Sequence, residues 1–282
     1  MMEPILFASD LDQTLIYSHR SLPHSTMDAS LRPVERLENQ CISFMTQGAL
    51  SLLKELAGQI LFVPTTTRTK TQYQRLNFAD YGIYPRYVVT SNGGTIFDHG
   101  REDVDWAKQV AAGNIHCAEG QDLICRFQEI SHPSWVIKDS GTLADDLFYY
   151  CVIDRDKLPM KELGDFELWA RENRWDLSIQ GRKLYFVPRH VSKKAAIEYL
   201  REKEGLSTVV AAGDSLLDLE MLKAADIALA PAHGELFSRY TQGKLTGERI
   251  QFTKISGIDA AEEILGTVQR ILESKLLYNE SV

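Results

Sequence analysis

The chain has 282 residues, 44% of them hydrophobic and 25% charged, which is the composition of an ordinary globular protein with one or two domains. Its formal net charge of -8 argues against nucleic acid as a partner, because phosphate backbones are bound by clustered Lys and Arg. No apolar run approaches the ~18 residues of a membrane span. The four cysteines form no C-x-x-C pair. We therefore expect a cytoplasmic protein with neither nucleic acid nor membrane as its partner.

The first predicted element is a strand over residues 5–8, an apolar run without helical spacing. Asp10 and Asp12 follow it directly. In an open parallel sheet, ligands bind at this carboxyl edge of the strands. Two neighbouring carboxylates there indicate a nucleophile, a proton carrier or a metal site. A D-x-D pattern is also compatible with a helix cap, a solvated turn or the metal-nucleotide site of a glycosyltransferase.

The next segments predict a parallel sheet with helices on both faces. Residues 17–39 are polar and show no period, so we expect either a flap over the carboxylates or a surface insertion. A helix is predicted over residues 46–56, ending near Gly58. Buried strands are predicted over residues 60–63 and 87–90.

From residue 105 to residue 187 the pattern changes to clustered helices and strands, which suggests a second α+β unit inserted into the first. The predicted helices of this unit cover residues 106–112, 119–130 and 161–173. Its predicted strands cover residues 135–138, 148–153, 177–179 and 183–187. We accordingly expect a core of residues 1–104 and 188–282 with an insertion of residues 105–187.

The α/β pattern then resumes in the last part of the chain. Ser192 is placed to cap a helix that continues to residue 202. The predicted elements that follow are a strand over 208–212, a helix over 215–223, a strand over 227–229 and a closing helix over 258–277.

Four strand or helix ends carry reactive groups, and parallel strands bring such ends to one edge of the sheet. They are Asp10 with Asp12, Thr66, Lys193, and Asp214 with Asp218. Carboxylates, a hydroxyl and an ammonium are the groups that phosphoryl transfer through an aspartyl-phosphate requires. Each alone has an ordinary structural explanation, but their joint occurrence in order favours this chemistry.

Each group can be given a role. We assign Asp10 as the nucleophile and Asp12 as the acid and base. Thr66 would hydrogen-bond the phosphoryl oxygens, and Lys193 would neutralise them. Mg²⁺ suits such a site because it prefers oxygen ligands in octahedral geometry. Its expected ligands are Asp10, the backbone carbonyl of Asp12, Asp214 and Asp218, the last directly or through water.

Five further residues are predicted to contact the substrate: Thr67, Arg68, Asn92, Arg182 and Lys183. Arg182 and Lys183 follow Gly181 in a predicted turn and could meet a second anionic group, although an exposed hairpin tip is the alternative. Arg68 could instead pair with a carboxylate, and Asn92 could belong to a hairpin turn.

The motifs resemble those of the haloacid dehalogenase superfamily of phosphohydrolases. They are D-L-D-Q-T from Asp10, the strand end at Thr66, Lys193 in V-S-K-K, and G-D-S-L-L-D from Gly213. The large insertion is similar to the C2-type cap of the Cof-like, sucrose-phosphate and mannosyl-phosphoglycerate phosphatases. The resemblance implies a Rossmann-like core, Mg²⁺ and hydrolysis of a phosphomonoester under a closing cap. Two departures are Gln13, where many members have glycine, and Leu217, where this subgroup often has asparagine.

The leading hypothesis is a Mg²⁺-dependent phosphatase for a small phosphorylated metabolite, such as a sugar phosphate. A phosphomutase would use the same covalent intermediate while excluding water. A binding or regulatory protein on the same fold is the alternative from another class.

Overall fold

The computed structural model of the protein describes residues 5–22, 30–246 and 249–280. Its strands are β1 (Ile5–Ser9), β2 (Tyr17–Ser18), β3 (Leu31–Leu37), β4 (Gln40–Thr46), β5 (Leu61–Pro64), β6 (Tyr87–Thr90), β7 (Thr95–Asp98), β8 (Arg101–Glu102), β9 (Val136–Asp139), β10 (Tyr149–Ile153), β11 (Trp175–Gln180), β12 (Lys183–Pro188), β13 (Thr208–Ala212), β14 (Ile227–Ala230) and β15 (Ile250–Phe252). Its α-helices are α1 (Gln47–Ala57), α2 (Lys70–Tyr73), α3 (Val104–Asn114), α4 (Gly120–Gln128), α5 (Met160–Glu172), α6 (Lys193–Glu204), α7 (Leu219–Ala224), α8 (Glu235–Thr241) and α9 (Ala260–Glu280). Across these residues, no helix has the length and apolar character needed to cross a membrane.

The central sheet is parallel and has the strand order β15-β14-β13-β1-β5. The interior strand β1, between β13 and β5, is buried on both faces: Phe7 packs in one apolar cluster with residues of α1 and α9, and Leu6 packs in another with residues of α6 and α7. This is why the strand reads as an unbroken apolar run. The order brings the carboxyl ends of β1, β5 and β13 together.

The predicted strand over residues 87–90 exists, but it is not a full member of this sheet. β6 pairs antiparallel with β7, and β7 pairs with β8. Strand β6 is linked to the central sheet by a single parallel bridge, between its Val89 and Thr65, the residue that follows β5. The expectation of continued parallel pairing was therefore right only at that bridge.

The prediction that residues 17–39 lack regular structure is wrong for the part that the structure describes; residues 23–29 lie outside it. β3 and β4 form an antiparallel hairpin, to which β2 adds a third strand. The hairpin turns at Glu38 and Asn39, whose φ angles of 47° and 65° are left-handed. A two-residue turn of this kind matches the twist of the strands that it joins. Pro33 inside β3 obscured the strand in the sequence.

The insertion contains its own antiparallel sheet, with the order β11-β12-β10-β9. A separate apolar cluster lies between this sheet and helices α4 and α5. Phe127 is at its centre, with the rings of Trp135, Tyr149, Phe166 and Phe186 between 5.0 and 5.7 Å away. Three of the four tryptophans of the predicted insertion are buried core residues.

Helix α3 lies within residues 105–187 but packs on the central unit. Its Trp106 ring lies 5.2 Å from the ring of Tyr199 on α6. Asp103 caps α3 by accepting hydrogen bonds from the amides of Asp105 and Trp106. The same carboxylate accepts from Lys203 of α6 at 2.6 Å, so α3 is fastened to α6 at its first turn.

The other predicted helices are present, with differences at their ends, whereas the short helices α2 and α8 were not predicted. The hydroxyl of Ser192 caps α6 by accepting from the amide of Ala195, as predicted. Gly58 follows α1 but has right-handed rather than left-handed backbone angles. Helix α7 begins at Leu219 rather than at residue 215, because residues 213–218 form a turn organised by a buried carboxylate.

Candidate active site

Three charged side chains meet where β1, β13 and α6 converge. The Lys193 Nζ atom donates to Asp10 Oδ1 and to Asp218 Oδ1, and both distances are 2.6 Å. Lys193 is the first residue of α6 and is 1% exposed. The structure thus brings these strand and helix ends together, although Asp10 lies 183 residues before Lys193 in the chain and Asp218 lies further on.

The second oxygen of Asp218 organises the turn after β13. Asp218 Oδ2 accepts from the amides of Asp214 and Ser215 at 3.1 and 3.0 Å and from the Ser215 hydroxyl at 2.7 Å. Gly213 is required here, because a Cβ atom would lie 2.4 Å from that of Asp218. With both its oxygens engaged, Asp218 acts chiefly as a support for Lys193 and for the loop that carries Asp214.

Asp10, Asp214 and Asp218 form the one cluster of potential metal ligands found among the described residues, with their ligand atoms within 4.8 Å of one another. Burial, together with Asp218 and Asp12, raises the pKa of Asp10 to about 7, although Lys193 opposes this. Burial and then the carboxylates of Asp10, Asp218 and Asp12 raise the pKa of Asp214 well above its usual value, again against the effect of Lys193. Burial would lower the pKa of Lys193, but its two carboxylate partners raise it. One ammonium does not balance three carboxylates, so this donor set fits a hard divalent cation.

Asp12 has a different partner. Arg68 donates two hydrogen bonds to the Asp12 carboxylate, from Nε to Oδ2 at 2.7 Å and from Nη2 to Oδ1 at 2.8 Å. The Asp12 side chain remains 48% exposed. Desolvation by the surrounding protein would raise the pKa of Asp12. The charge and the hydrogen bonds of Arg68 have a larger effect in the other direction, so that the pKa of Asp12 is lowered. Its carboxylate is thus committed to Arg68 and is not part of the metal-ligand cluster.

Arg68 and its neighbours are fixed from the interior. The Arg68 Nη2 atom also donates to Glu35 Oε2 at 3.0 Å, and Glu35 is 1% exposed. Glu35, a residue of β3, also accepts from the Ser43 hydroxyl at 2.6 Å and forms an ion pair with Arg75. Thr66 is fully buried, and its Oγ1 atom accepts from the amide of Arg68.

Asn92 is buried away from Asp10 and donates to the carbonyl of Val191 at the entrance to α6. It lines a separate cavity of about 440 Å³, together with Leu217. The predicted contact of Asn92 with the substrate stays a prediction. In this structure, its side-chain amide contacts the backbone just before α6, and its backbone amide donates to the carbonyl of Thr66.

A cavity of about 520 Å³ opens over Asp10, Asp12 and Asp214. Its opposite wall comes from the turn between β11 and β12, including Arg182 and Lys183, and Thr67 also lines it. The Lys183 Nζ atom lies over the rings of Tyr150 and Tyr185, at 5.4 and 6.0 Å from their centroids. The turn is therefore not only an exposed tip, because Lys183 lies within the cavity wall.

Sequence reasoning missed several residues around this cavity. Tyr185, Gln180, Ser18 and Ser21 line it, and Glu35 lies behind Arg68. Gln180 also links the insertion to the loop after β13, since its side-chain amide donates to the Ser215 hydroxyl at 2.5 Å. The apolar residues of 40–46 come in adjacent pairs and do not alternate with polar ones, so the sequence carried no clear strand signal for the hairpin with Glu35.

The family model of haloacid dehalogenase-like hydrolases matches residues 128–236. This stretch contains Lys193, Asp214 and Asp218 but neither Asp10 nor Asp12. A search of the curated proteins finds no match to the chain.

Solved structures extend the comparison to nearly the whole chain. The sucrose-phosphatase from Synechocystis sp. PCC6803, in complex with sucrose and phosphate, is 15% identical, with a TM-score of 0.67 over 95% of this chain and 98% of its own. Protein 0175 of Thermoplasma acidophilum is 14% identical, with a TM-score of 0.60 over 95% and 99%. BT4131, a sugar phosphatase of HAD subclass IIB, is 12% identical, with a TM-score of 0.59 over 95% and 98%. The chain has the haloacid dehalogenase-like fold.

The predicted resemblance and the predicted fold class, a parallel-sheet core with an inserted α+β unit, are therefore confirmed.

Gln13, which departs from the usual haloacid dehalogenase pattern, has an unfavourable backbone conformation. Gln13 has a φ of 65°, a left-handed conformation that glycine adopts more readily. Its side chain donates to the Ser21 hydroxyl, and its carbonyl accepts from His233 Nε2 at 3.0 Å. These contacts hold it in the strained conformation.

Proposed function

We propose that the protein is a Mg²⁺-dependent phosphatase that hydrolyses a small phosphomonoester through an aspartyl-phosphate on Asp10. The observation that carries the proposal is the contact of Lys193 with both Asp10 and Asp218 at the floor of a cavity. A buried ammonium between two carboxylates is expensive unless the site uses it. In phosphoryl transfer, it would reduce the repulsion between the nucleophile and the incoming phosphate.

The residues of the chain divide the reaction into two balanced steps. In the first, an Asp10 oxygen bonds to phosphorus while the bond to the ester oxygen breaks, and Asp12, which must take up a proton from solvent beforehand because Arg68 favours its ionised form, gives that oxygen the proton. In the second, a water oxygen bonds to phosphorus, the aspartyl bond breaks, and Asp12 takes a proton from the water. The ionised form of Asp12 that Arg68 favours is the form that accepts this second proton.

Asp10 and Asp214 would hold the Mg²⁺ ion, with Asp218 supporting the loop that carries Asp214. No described residue donates a hydrogen bond to the carboxylate of Asp214, so its oxygens are available as ligands. A bound cation would neutralise charge on the phosphoryl oxygens. It would also lower the pKa of Asp10 and keep the nucleophile ionised.

The substrate class follows from the cavity wall. Tyr185 offers an aromatic ring, and Lys183 and Arg182 offer positive charge above the site. Aromatic faces with polar groups at their edges suit a sugar ring. Two of the similar structures are named as sugar phosphatases. We therefore propose a sugar phosphate or a related compound as the substrate.

Two alternatives remain, a phosphomutase and a non-hydrolytic binding protein. A mutase would protect the aspartyl-phosphate from water and return the phosphoryl group to another substrate hydroxyl. A binding protein would have no need for Lys193, Asp10 and Asp218 in this arrangement. The division into residues 1–104, 105–187 and 188–282, and the cytoplasmic location, stay predictions.

The test is phosphate release from a panel of sugar phosphates, phosphoglycerates, nucleotides and an aryl phosphate, with Mg²⁺ or with a chelator. We expect release that needs Mg²⁺. Asp10→Asn should reduce it below about one-thousandth of the wild-type rate, because it removes the nucleophile with little change in shape. Asp105→Asn, on the exposed surface of α3, is the matched control and should keep full activity. Wild-type turnover by Asp10→Asn would refute the covalent mechanism.

A further inference from the structure

The hairpin formed by β3 and β4 sends one charged side chain into the protein interior. Val34 and Glu35 are consecutive in β3, yet both are almost completely buried, at 0% and 1% exposure. Successive residues of a regular strand point to opposite faces. The pairing explains this departure, because Pro33 is opposite Phe44 while Glu35 is opposite Ser43, so that the register shifts on both sides of Glu35. Bulges of this kind redirect side chains and are common beside active sites.

In the described part of the chain, the Glu35 carboxylate has three polar partners, two of them on Oε2. It accepts from the Ser43 hydroxyl at 2.6 Å and from Arg68 Nη2 at 3.0 Å, and it pairs with Arg75 Nε at 3.2 Å. The backbone holds the hairpin against the segment that carries Arg75, since the Asn77 amide donates to the Val34 carbonyl. Removing an ion from water is unfavourable, and a buried pair is weak evidence for stability alone. A positional role is the better explanation.

The guanidinium of Arg68 transmits that position to the cavity. One edge binds Asp12 through Nε and Nη2, and the same Nη2 atom binds Glu35. Arg68 Nη1 is buried and has no hydrogen-bond partner among the residues that the structure describes. Of these residues, only Asp12 and Glu35 accept from its guanidinium. Because the fork of an arginine is planar and rigid, fixing one part of it fixes the geometry offered to Asp12.

We infer that Glu35 is a positioning residue, which acts through Arg68 to hold the carboxyl group of Asp12 where it exchanges protons with the ester oxygen and with water. Glu35 touches neither the substrate cavity nor the cluster of metal ligands. Its influence must pass through Arg68. This inference rests on the proposed phosphatase function.

A leaving-group series tests the inference. Phenyl phosphate releases a poor leaving group that needs a proton from Asp12, whereas 2,4-dinitrophenyl phosphate releases a good one that needs little help. The quantity compared is kcat/KM, because it reflects only the steps from substrate binding to the departure of the leaving group. For Glu35→Gln we expect about a 10- to 100-fold loss with phenyl phosphate, the order that a small misplacement of a reacting group produces. With the dinitrophenyl ester, we expect a loss of less than about threefold.

A double variant separates positioning from general structural damage. In an Asp12→Asn background, Glu35→Gln should cause no further selective loss, because the group that it positions is gone. Glu204→Gln is the matched control. Glu204 pairs with Arg86 and Tyr87 far from the cavity, so its loss should slow both esters equally if it slows either.

Ser43→Ala keeps the test decisive if Glu35→Gln does not fold, since it removes only one hydrogen bond to Glu35. It should show the same selectivity with a smaller loss. Equal losses with both esters, or the full loss in the Asp12→Asn background, would overturn the inference while leaving the phosphatase intact. If the wild-type protein hydrolyses neither ester in a way that depends on Asp10, the proposed function fails instead.

Discussion

Replacing Lys193 with methionine isolates the electrostatic arrangement at the floor of the cavity. Methionine keeps an unbranched side chain of similar length and removes the ammonium that donates to Asp10 and Asp218 at 2.6 Å each. Both carboxylates are almost fully buried, at 5% and 0% exposure. Breaking a buried pair by removing one partner typically costs about 3–5 kcal/mol, because an uncompensated charge is left inside. We expect a loss of that order from the free energy of unfolding at pH 8, together with loss of phosphatase activity.

The pH dependence gives the sharper test. In the wild-type protein, burial and neighbouring carboxylates raise the pKa of Asp10 to about 7, and loss of Lys193 must raise it further. When the pKa of a carboxyl group is higher in the folded than in the unfolded state, the free energy of unfolding falls as the pH rises from the unfolded pKa to the folded pKa. Above the folded pKa this loss is complete. At pH 5, Asp10 can stay protonated in both proteins. The difference in stability between them should therefore be smaller at pH 5 than at pH 8.

Urea unfolding at pH 5 and pH 8, in metal-free buffer with chelator, measures this difference. Lys194→Met is the matched control: Lys194 is the next residue, is 41% exposed in its side chain and pairs loosely with Glu198 at 3.7 Å. It should change the stability by less than about 1 kcal/mol at either pH. An equal loss for Lys193→Met at both pH values, or a greater loss at pH 5, would refute the electrostatic reasoning.

Two further predictions concern how α3 and α6 are held. Asp103→Ala removes the cap of α3 and the contact with Lys203, and should cost about 1–2 kcal/mol by urea unfolding at pH 7. The favourable interactions of Asp103 outweigh its burial and lower its pKa, so this loss should shrink as the pH falls below about 3.9; an undiminished loss would contradict the assignment. Gly93→Ala places a Cβ atom 2.2 Å from the carbonyl oxygen of Ser192 at a φ of +98°. It should lower both stability, by about 1–3 kcal/mol, and activity, because Lys193 must move; Gly141→Ala, also at positive φ but with open space, is the control.

The sequence predicted most of the central sheet and the floor of the site, and the reason is physical. Apolar runs such as β1 and β13 can be buried only in the middle of a sheet, and parallel pairing then brings their carboxyl ends together. Asp10 and Asp214 follow those strands directly, so their proximity required no knowledge of side-chain geometry. The Ser192 cap fixed the start of α6 and, with it, the position of Lys193.

The partner of Arg68 was beyond this kind of reasoning. An arginine after a strand reaches several ångströms in many directions, and which carboxylate it meets depends on tertiary packing. Here the choice is made by Glu35, whose inward direction depends on a register shift in a hairpin with a proline in one strand. Neither a bulge nor the partner of a long side chain has a reliable local signature. The sequence therefore left Arg68 as either a substrate ligand or the partner of a carboxylate, and the structure joins it to Asp12 and Glu35.

Two groups of charged side chains lie side by side at the end of β1. One contains Lys193 between Asp10 and Asp218, and the other contains Arg68 between Asp12 and Glu35. In each group, a cation lies between a carboxylate that faces the cavity and another that faces the interior. The inner carboxylate fixes the cation, and the cation fixes the outer carboxylate. If only stability mattered, apolar side chains could take the place of both groups. The two outer carboxylates, Asp10 and Asp12, are only two residues apart in the chain. The best explanation for two such groups is the need to hold two reactive carboxyl groups at defined positions.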